Sequence, residues 1–300
     1  MKLTRRRFLT IASAACLAAP TANAFRWQGT ALGARAQIVL DHPRAAAITE
    51  AARAEIDRLE DVFSLYRPGS ELVRLNAAGV LTAPSFEMLE CLAVARRVHR
   101  VTEGRFNPTV QPLWQVLAAS YVEGHAPLPA DLAAARAGIG FDRVRFDAAE
   151  VALEAGQQLT LNGIAQGYIA DRVALLMRAQ GVADVLIDTG EILAMGSAAD
   201  GAGWPVTIAG EAAARRLSGR ALATSAPLGT TVDSDGRVGH IIDPRHGGTT
   251  RPSIRQVSVS ATSAAFADGL STGLCLAESR TGAERLLRKV KDARLESLYV

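Results

Sequence analysis

Between Leu161 and Gly181 apolar residues recur at Ile164, Tyr168, Ile169, Val173 and Leu176, the spacing of one helix face, and Gly181 follows where a C-terminal cap takes positive φ. The start of this helix is rich in small, flexible backbone at Asn162, Gly163 and Gly167. Unpaired N–H groups and the helix dipole favour an anion such as phosphate at such a start. Glycines in that position also serve as plain turn chemistry, which is the commoner case.

The same pattern organises the rest of the chain. Ala34–Leu40 predicts a strand, and Ala45–Phe63 an amphipathic helix with Ile48, Ala52, Ile56, Leu59 and Phe63 on one face. Pro84 suits the first residue of a helix that runs to about Val101 and stops before Gly104. Short strands are expected at Gln158–Leu161, Val185–Ile187, Ile192–Met195, Pro205–Ile208, Arg220–Thr224, Val238–Ile242 and Gln256–Ser260. Helices from about Ser263 to Ala277 and from Ala283 to Val290 follow, then a closing strand Leu295–Val300. Ala118–Gly140 carries the least pattern and reads as a surface excursion with a short helix around Leu132–Ala137. Neighbouring strands such as 185–187 and 192–195 are close enough for hairpin pairing, which favours an α+β architecture of mainly antiparallel sheets with packed helices over a doubly wound parallel sheet. No linker or internal repeat divides residues 25–300, so a single large domain is expected there.

Residues 1–24 stand apart. Lys2, Arg5, Arg6 and Arg7 precede an apolar run from Phe8 to Ala19 and the small residues Ala22, Asn23 and Ala24, the layout of a cleaved export signal. Arg5 and Arg6 followed by Phe8 and Leu9 match the twin-arginine pattern, so a periplasmic address is expected, with the mature chain starting near Phe25. This segment holds four basic and no acidic side chains, so the remainder has a formal charge of −1 where the whole chain has +3. The basic character therefore gives no reason to expect nucleic-acid binding. Cys91 and Cys275 sit in apolar helical patterns and read as buried thiols. No later stretch approaches the roughly 18 uncharged apolar residues that span a bilayer, so the protein after signal cleavage is not expected to span a membrane.

The candidate chemistry lies in polar residues that break apolar patterns. Asp268 and Thr272 are four apart on the 263–277 helix, which places a carboxylate and a hydroxyl on one face. A carboxylate among Ala, Phe, Leu and Gly must be paired, hydrogen-bonded or coordinated. Oxygen-only ligands suit magnesium rather than zinc, although a cap on a neighbouring loop explains Asp268 equally well from this segment alone. Four further segments mix proline-set turns or aromatics with polar groups in the manner of a ring-binding cleft: Phe63–Leu72, Glu103–Trp114, Ala223–Ser225 and Gly239–Gly247. His240, among Val238, Ile241 and Ile242, is by residue type more often structural than basic in function.

Taken in order, GTALG (Gly29–Gly33), YRPGSEL, GRFNPTV, LNGIAQGYIADR, ATS, HIIDPRHG and AFADGLST resemble the ApbE-type flavin transferases, which move FMN from FAD onto a threonine or serine of a target protein. The resemblance covers nearly all of residues 25–300, and with the twin-arginine segment it is closest to exported NosX-type members associated with nitrous oxide reduction. It implies magnesium on the Ala165 carbonyl, Asp268 and Thr272 with Ser271 close by. It implies FAD held by Leu32, Tyr66, Arg105, Phe106, Asn107, Asn162, Tyr168, Asp171 and Ile241, and activity dependent on His240. Gln166 stands where most members have lysine, Asn107 where aspartate is usual, and the segment after Ser225 lacks a common Gly-Asp-Tyr run. The lost lysine removes a positive charge from beside a pyrophosphate.

The implied reaction is attack of a target hydroxyl on the FMN-side phosphorus with AMP leaving, the metal and the 163–167 N–H groups offsetting phosphate charge. His240 and a metal-adjacent carboxylate are both candidates for the proton acceptor. The expected acceptor is the exported domain of a membrane-anchored flavoprotein, of NosR type if the finer resemblance holds. Two other functions fit the same residues: an FAD pyrophosphatase yielding FMN and AMP, and a non-catalytic flavin-binding or assembly protein.

Overall fold

A computed structural model describes residues 24–247 and 253–300. The expected export signal falls almost wholly on residues 1–23, outside the described residues. The framework is a seven-stranded sheet in which every neighbouring pair is antiparallel. In chain order its strands are β1 (Phe25–Ala31), β2 (Ala34–Leu40), β6 (Val185–Asp188), β7 (Ile192–Met195), β10 (Arg220–Ser225), β11 (Gln256–Ala261) and β12 (Arg294–Tyr299), and the spatial order is the same. The central strands are apolar on both sides because both sides are covered. Ile38, Ile187, Leu193 and Ala223 join the main core, while Val39, Leu186, Ile192 and Leu222 face a smaller cluster. That second face is closed by Trp204 and Leu217 from a hairpin of β8 (Trp204–Val206) and β9 (Arg215–Leu217).

Helices α1 (Ala45–Phe63), α3 (Phe86–Val101), α6 (Ala165–Ala179) and α7 (Ala264–Leu274) build the main core against the sheet. Serine hydroxyls start two of them: Ser85 accepts from the Met88 N–H and Ser263 from the Phe266 N–H. Helices α6 and α7 cross so closely that a Cβ at Gly167 would lie 2.3 Å from the Ala264 carbonyl oxygen, so only glycine fits there. Gly181 follows α6 with φ +86°, as its position after the periodic run demands. Cys91 and Cys275 are buried free thiols. The architecture is α+β, and no described helix is long and apolar enough to cross a membrane.

Several elements depart from the sequence pattern. β1 and the helix α2 (Glu71–Ala78) carry no strong periodicity. β1 forms because it pairs with β2 along its whole length, and α2 because Ser70 caps its start and Gly79, at φ +72°, ends it. The expected strand at 158–161 is extended but joins no sheet. The Asn76 side chain replaces a neighbouring strand there: its Nδ2 donates to the Leu159 carbonyl at 2.8 Å and its Oδ1 accepts from the Leu159 N–H at 2.7 Å. The expected strand at 238–242 is a loop tied back on itself by an isolated Thr231–Gly239 bridge. The supposed surface excursion holds two helices, α4 (Gln111–Val122) and α5 (Pro129–Ala137), whose Leu113, Leu117 and Ala135 pack on Val232 and Ile242.

Asn76→Ala should therefore strip both main-chain partners from buried Leu159 and lower stability by about 2 kcal/mol or more. Urea denaturation reads this directly; an unchanged midpoint would show that water satisfies the segment instead.

Candidate active site

One cleft gathers the segments singled out in the sequence. Its wall includes Tyr66 from the first, Arg105, Phe106, Asn107 and Trp114 from the second, Thr224 and Ser225 from the third, and His240, Ile241 and Ile242 from the fourth. Leu32, Asn162, Asp268 and Thr272 complete the expected set on this wall. The start of α6 and one face of α7 make the floor, and the loop after β10, packed on α4 and α5, makes one side.

The floor is acidic and uncompensated. Asp268 is 3% exposed, and its Oδ2 accepts from the Gly167 N–H in the first turn of α6 at 3.2 Å. Burial raises the Asp268 carboxyl, and the Asp171 charge adds to this, against the lowering effect of the Gly167 bond. Glu191, 6% exposed, is raised well above the usual carboxylate range by burial and then by Asp268, while its bond from the Thr224 N–H, 3.1 Å, works the other way. No cation acts on either group among the described residues. Two buried carboxylates sharing a site with no counter-charge are a poor arrangement unless protonated or bound to a cation.

The neighbouring hydroxyls are oriented to help. Ser271 donates to the Asp268 carbonyl at 2.9 Å, so its proton is committed. Ser225 must then donate to Ser271 at 2.7 Å, and Thr272 to Ser225 at 3.3 Å. This relay leaves the Thr272 oxygen with lone pairs and no proton for the cleft. A carboxylate pair and an acceptor-only hydroxyl fit a hard cation such as magnesium. Among the described residues no three His, Cys, Asp or Glu side chains converge, so an ion here would have two carboxylates at most. Asp268 and Thr272, with Glu191, would hold such an ion, and its charge would offset that of a bound phosphate.

The rim is held by a charged clamp. Leu32 takes a strained φ of +47° at the tip of the β1–β2 hairpin, and its N–H donates to Glu60 Oε1 at 2.7 Å. The other oxygen of Glu60 accepts from Arg67 at 2.6 Å, next to Tyr66, so one carboxylate fastens two parts of the wall. Tyr66 is 56% exposed at the mouth, placed to stack on a planar ring. Arg105 donates to the Leu276 and Thr102 carbonyls, each at 3.3 Å, and its charge is met by Glu103 at 3.4 Å and Glu278 at 3.7 Å. Asn107 Oδ1 caps the 108–110 turn by accepting from the Thr109 N–H. His240 is half-buried, with Nδ1 3.1 Å from the Thr230 carbonyl, so Nδ1 carries the proton. Burial lowers its pKa against the pull of the Thr230 and Pro227 carbonyls, which keeps the ring neutral.

Four expected residues lie off the wall. Tyr168 is a core residue, its hydroxyl donating to Glu90 at 2.5 Å and its ring edge-on to Phe63. Asp171 caps α7, accepting from Ser263 Oγ at 2.8 Å and from the N–H groups of Ala264 and Ala265. Ala165 is buried in the first turn of α6, and Ser271 stands behind Thr272 in the relay. Both Asp171 and Ser271 thus support the floor from outside the cleft. Sequence reasoning missed Glu191 and Thr160 on the wall. Glu191 stands in the polar turn Asp188–Glu191 between two apolar strands, where a carboxylate draws no notice in the sequence; only the fold shows that it is buried.

The model of the ApbE family matches residues 32–295. The chain belongs to the ApbE family. Among curated relatives, the "FAD:protein FMN transferase" of Haemophilus influenzae is 30% identical over 260 residues, 78% of this chain and 75% of its own length. The "FAD:protein FMN transferase" of Salmonella typhimurium is 29% identical over 83% of this chain and 77% of its own. Among solved structures, the flavin transferase ApbE from Vibrio cholerae superposes with a TM-score of 0.77 at 25% identity, covering 89% of this chain and 92% of its own. The apo flavinyl transferase ApbE of Pseudomonas stutzeri gives 0.78 at 27% identity, covering 90% of each chain. In this ApbE-family chain the matched span takes in every wall residue named above, from Leu32 to Leu276.

The carboxylate pair makes stability depend on pH with a definite sign. Folding raises the affinity of Asp268 and Glu191 for protons, so the folded state binds more of them than the unfolded state above the ordinary carboxylate pKa of about 4. Metal-free protein should lose stability as pH rises from about 4 through about 7, where Asp268 gives up its proton. Magnesium should restore it most at the upper end. Thermal melts across pH with and without magnesium check this; a magnesium effect independent of pH would count against the pair as the binding seat.

Proposed function

We propose that this chain is a magnesium-dependent FAD:protein FMN transferase that moves FMN from FAD to a threonine or serine hydroxyl of an exported flavoprotein, releasing AMP. The observation that carries the reading is the floor of the cleft: two buried, uncompensated carboxylates beside an acceptor-only Thr272 oxygen, at the start of a helix, in an ApbE-family chain. The relatives in Haemophilus influenzae and Salmonella typhimurium carry this activity in their names.

In this reaction the acceptor oxygen forms a bond to the FMN-side phosphorus, the bond from that phosphorus to the bridging oxygen breaks, and AMP leaves with that oxygen. A magnesium ion, when bound, supplies Lewis-acid polarisation and charge compensation for the diphosphate. Asp268, Thr272 and Glu191 would seat it. Tyr66 and Phe106 line the part of the cleft that would take the ring, and the Glu60 clamp holds Leu32 and the Tyr66 loop in place there. His240, kept neutral by its partial burial, is in the state required to take the acceptor's proton. Such transfers depend mainly on positioning and electrostatics, and the residues here are of that kind.

The sequence of residues 1–24 supports export by the twin-arginine route, and with it a periplasmic place of action. An acceptor exposed there on a membrane-anchored flavoprotein, of NosR type, follows from the NosX-like wording of the motifs. A formal charge of −1 after cleavage gives the enzyme no electrostatic pull toward anionic lipid, so its contact with such an acceptor would run through the cleft.

The experiment is incubation of purified protein with FAD, magnesium and a peptide bearing an acceptor threonine, with products weighed by mass spectrometry. FMN on the peptide with free AMP is the expected result; free FMN and AMP would indicate hydrolysis, and unchanged FAD a binding role only. Asp268→Ala should cut transfer at least a hundredfold while the circular dichroism spectrum stays native, an effect of about 2.7 kcal/mol or more on the barrier. Full transfer by a folded Asp268→Ala variant would remove the metal assignment.

A further inference from the structure

His240 reaches the cleft from a small hairpin in the loop after β10. Its arms are joined by two main-chain bonds on either side of the Thr231–Gly239 bridge: the His240 N–H donates to the Thr230 carbonyl at 3.0 Å and the Val232 N–H to the Val238 carbonyl at 2.9 Å. The Thr230 carbonyl also accepts from His240 Nδ1 at 3.1 Å, so one oxygen holds both the main chain and the ring of the histidine. In this register Thr230, Val232 and His240 line the cleft, and Val232 and Val238 pack with residues of α4 and α5. Thr231 and Gly239 belong to the opposite face of the hairpin, where a Cβ at Gly239 would lie 2.0 Å from the Pro227 carbonyl oxygen. A slip of one residue would turn His240 away from the cleft and drive a side chain against Pro227.

Two ladder bonds specify a register weakly, and in hairpins the turn supplies what the ladder lacks. Here the turn is closed by Asp233. Its Oδ1 accepts from the Val238 N–H at 2.8 Å and from the Arg237 N–H at 3.0 Å, and its Oδ2 from the same Arg237 N–H at 3.0 Å. These bonds tie the start of one arm to the end of the other across a three-residue loop, 234–236, in which Gly236 takes φ +70°. Asp233 itself is not on the cleft wall. We propose that Asp233 is a positioning residue for the transfer step: by pinning the register of the 230–240 hairpin it presents the His240 ring to the cleft. The transfer step is that of the flavin reading above, on which this inference rests. Because Asp233 acts through His240 and lines no part of the cleft, its loss slows transfer and leaves FAD binding as it was.

Asp233→Ala, Asp233→Asn, His240→Gln and the Asp233→Ala/His240→Gln pair test this by FMN transfer to a threonine peptide, FAD titration and proton–nitrogen NMR of the histidine rings. Asp233→Ala should lower kcat about tenfold or more, keep FAD affinity within about twofold, and move the ring signals of His240 but not those of His99 on α3. Asp233→Asn, whose Oδ1 can still accept from both N–H groups, should transfer within about threefold of the wild type. Added to His240→Gln, Asp233→Ala should cost less than about twofold more, because residues that act through one another are not additive. An unchanged kcat in Asp233→Ala, an unmoved His240 ring, or the same loss in both backgrounds would overturn the proposal. A loss of FAD affinity as large as the loss of kcat would do so too, by making Asp233 a packing residue of the whole cleft. A wild type that transfers no FMN would remove the flavin reading, and the His240 ring signals would still decide whether Asp233 positions the ring.

Discussion

Two carboxylates, Asp268 and Glu191, are withdrawn from water in one place with no positive side chain among the described residues to meet them. Much of the surrounding structure exists to make that tolerable. The α6–α7 crossing is tight enough to exclude any side chain at Gly167, and it delivers the Gly167 N–H to Asp268. β10 delivers the Thr224 N–H to Glu191 and the Ser225 hydroxyl to the relay that turns Thr272 into a pure acceptor. Asp171 fixes the start of the helix that carries Asp268. These hydrogen bonds lower the pKa values, but burial and mutual repulsion outweigh them, so the unligated floor is protonated or strained. A bound divalent cation would relieve both carboxylates together and would give the diphosphate of a dinucleotide a positive centre on an acidic floor.

Much of this was legible in the chain because the relevant signals are local. The i,i+4 spacing of Asp268 and Thr272 needed only a helix, and the helix came from its apolar face. The four turn segments drew notice as polar groups in proline- or aromatic-set loops, and the structure brings all four to one wall. What was not legible depended on partners distant in sequence. Asn76 stands in for a strand beside Leu159 across 83 residues, so an extended run reads as a strand that joins no sheet. Tyr168 and Asp171 sit in the same motif as the cleft-lining Gln166, but on an α-helix they point to other faces, one to Glu90 and one to the cap of α7. Their matched positions said that they matter to the site and could not say that they act from behind it.

The rim shows the same division of labour. Leu32 and Tyr66 line the cleft, while Arg67, from the same 63–72 segment as Tyr66, and Glu60, which lies outside every candidate segment, hold them there. A strained φ at Leu32 persists because a 2.7 Å bond over-determines it. On the proposed reading, selection of a flat ring and charge balance for a diphosphate would come from separate parts of the cleft, the first from a clamped apolar rim and the second from an acidic floor with a cation bound to it.

Crystals grown with FAD and manganese in place of magnesium, measured for anomalous scattering, put the central claim to its most direct test. The expected result is a metal peak in contact with the Asp268 carboxylate and the Thr272 hydroxyl oxygen. A dinucleotide bound in the cleft with no metal at that position, and Asp268 and Glu191 sharing a proton instead, would contradict it.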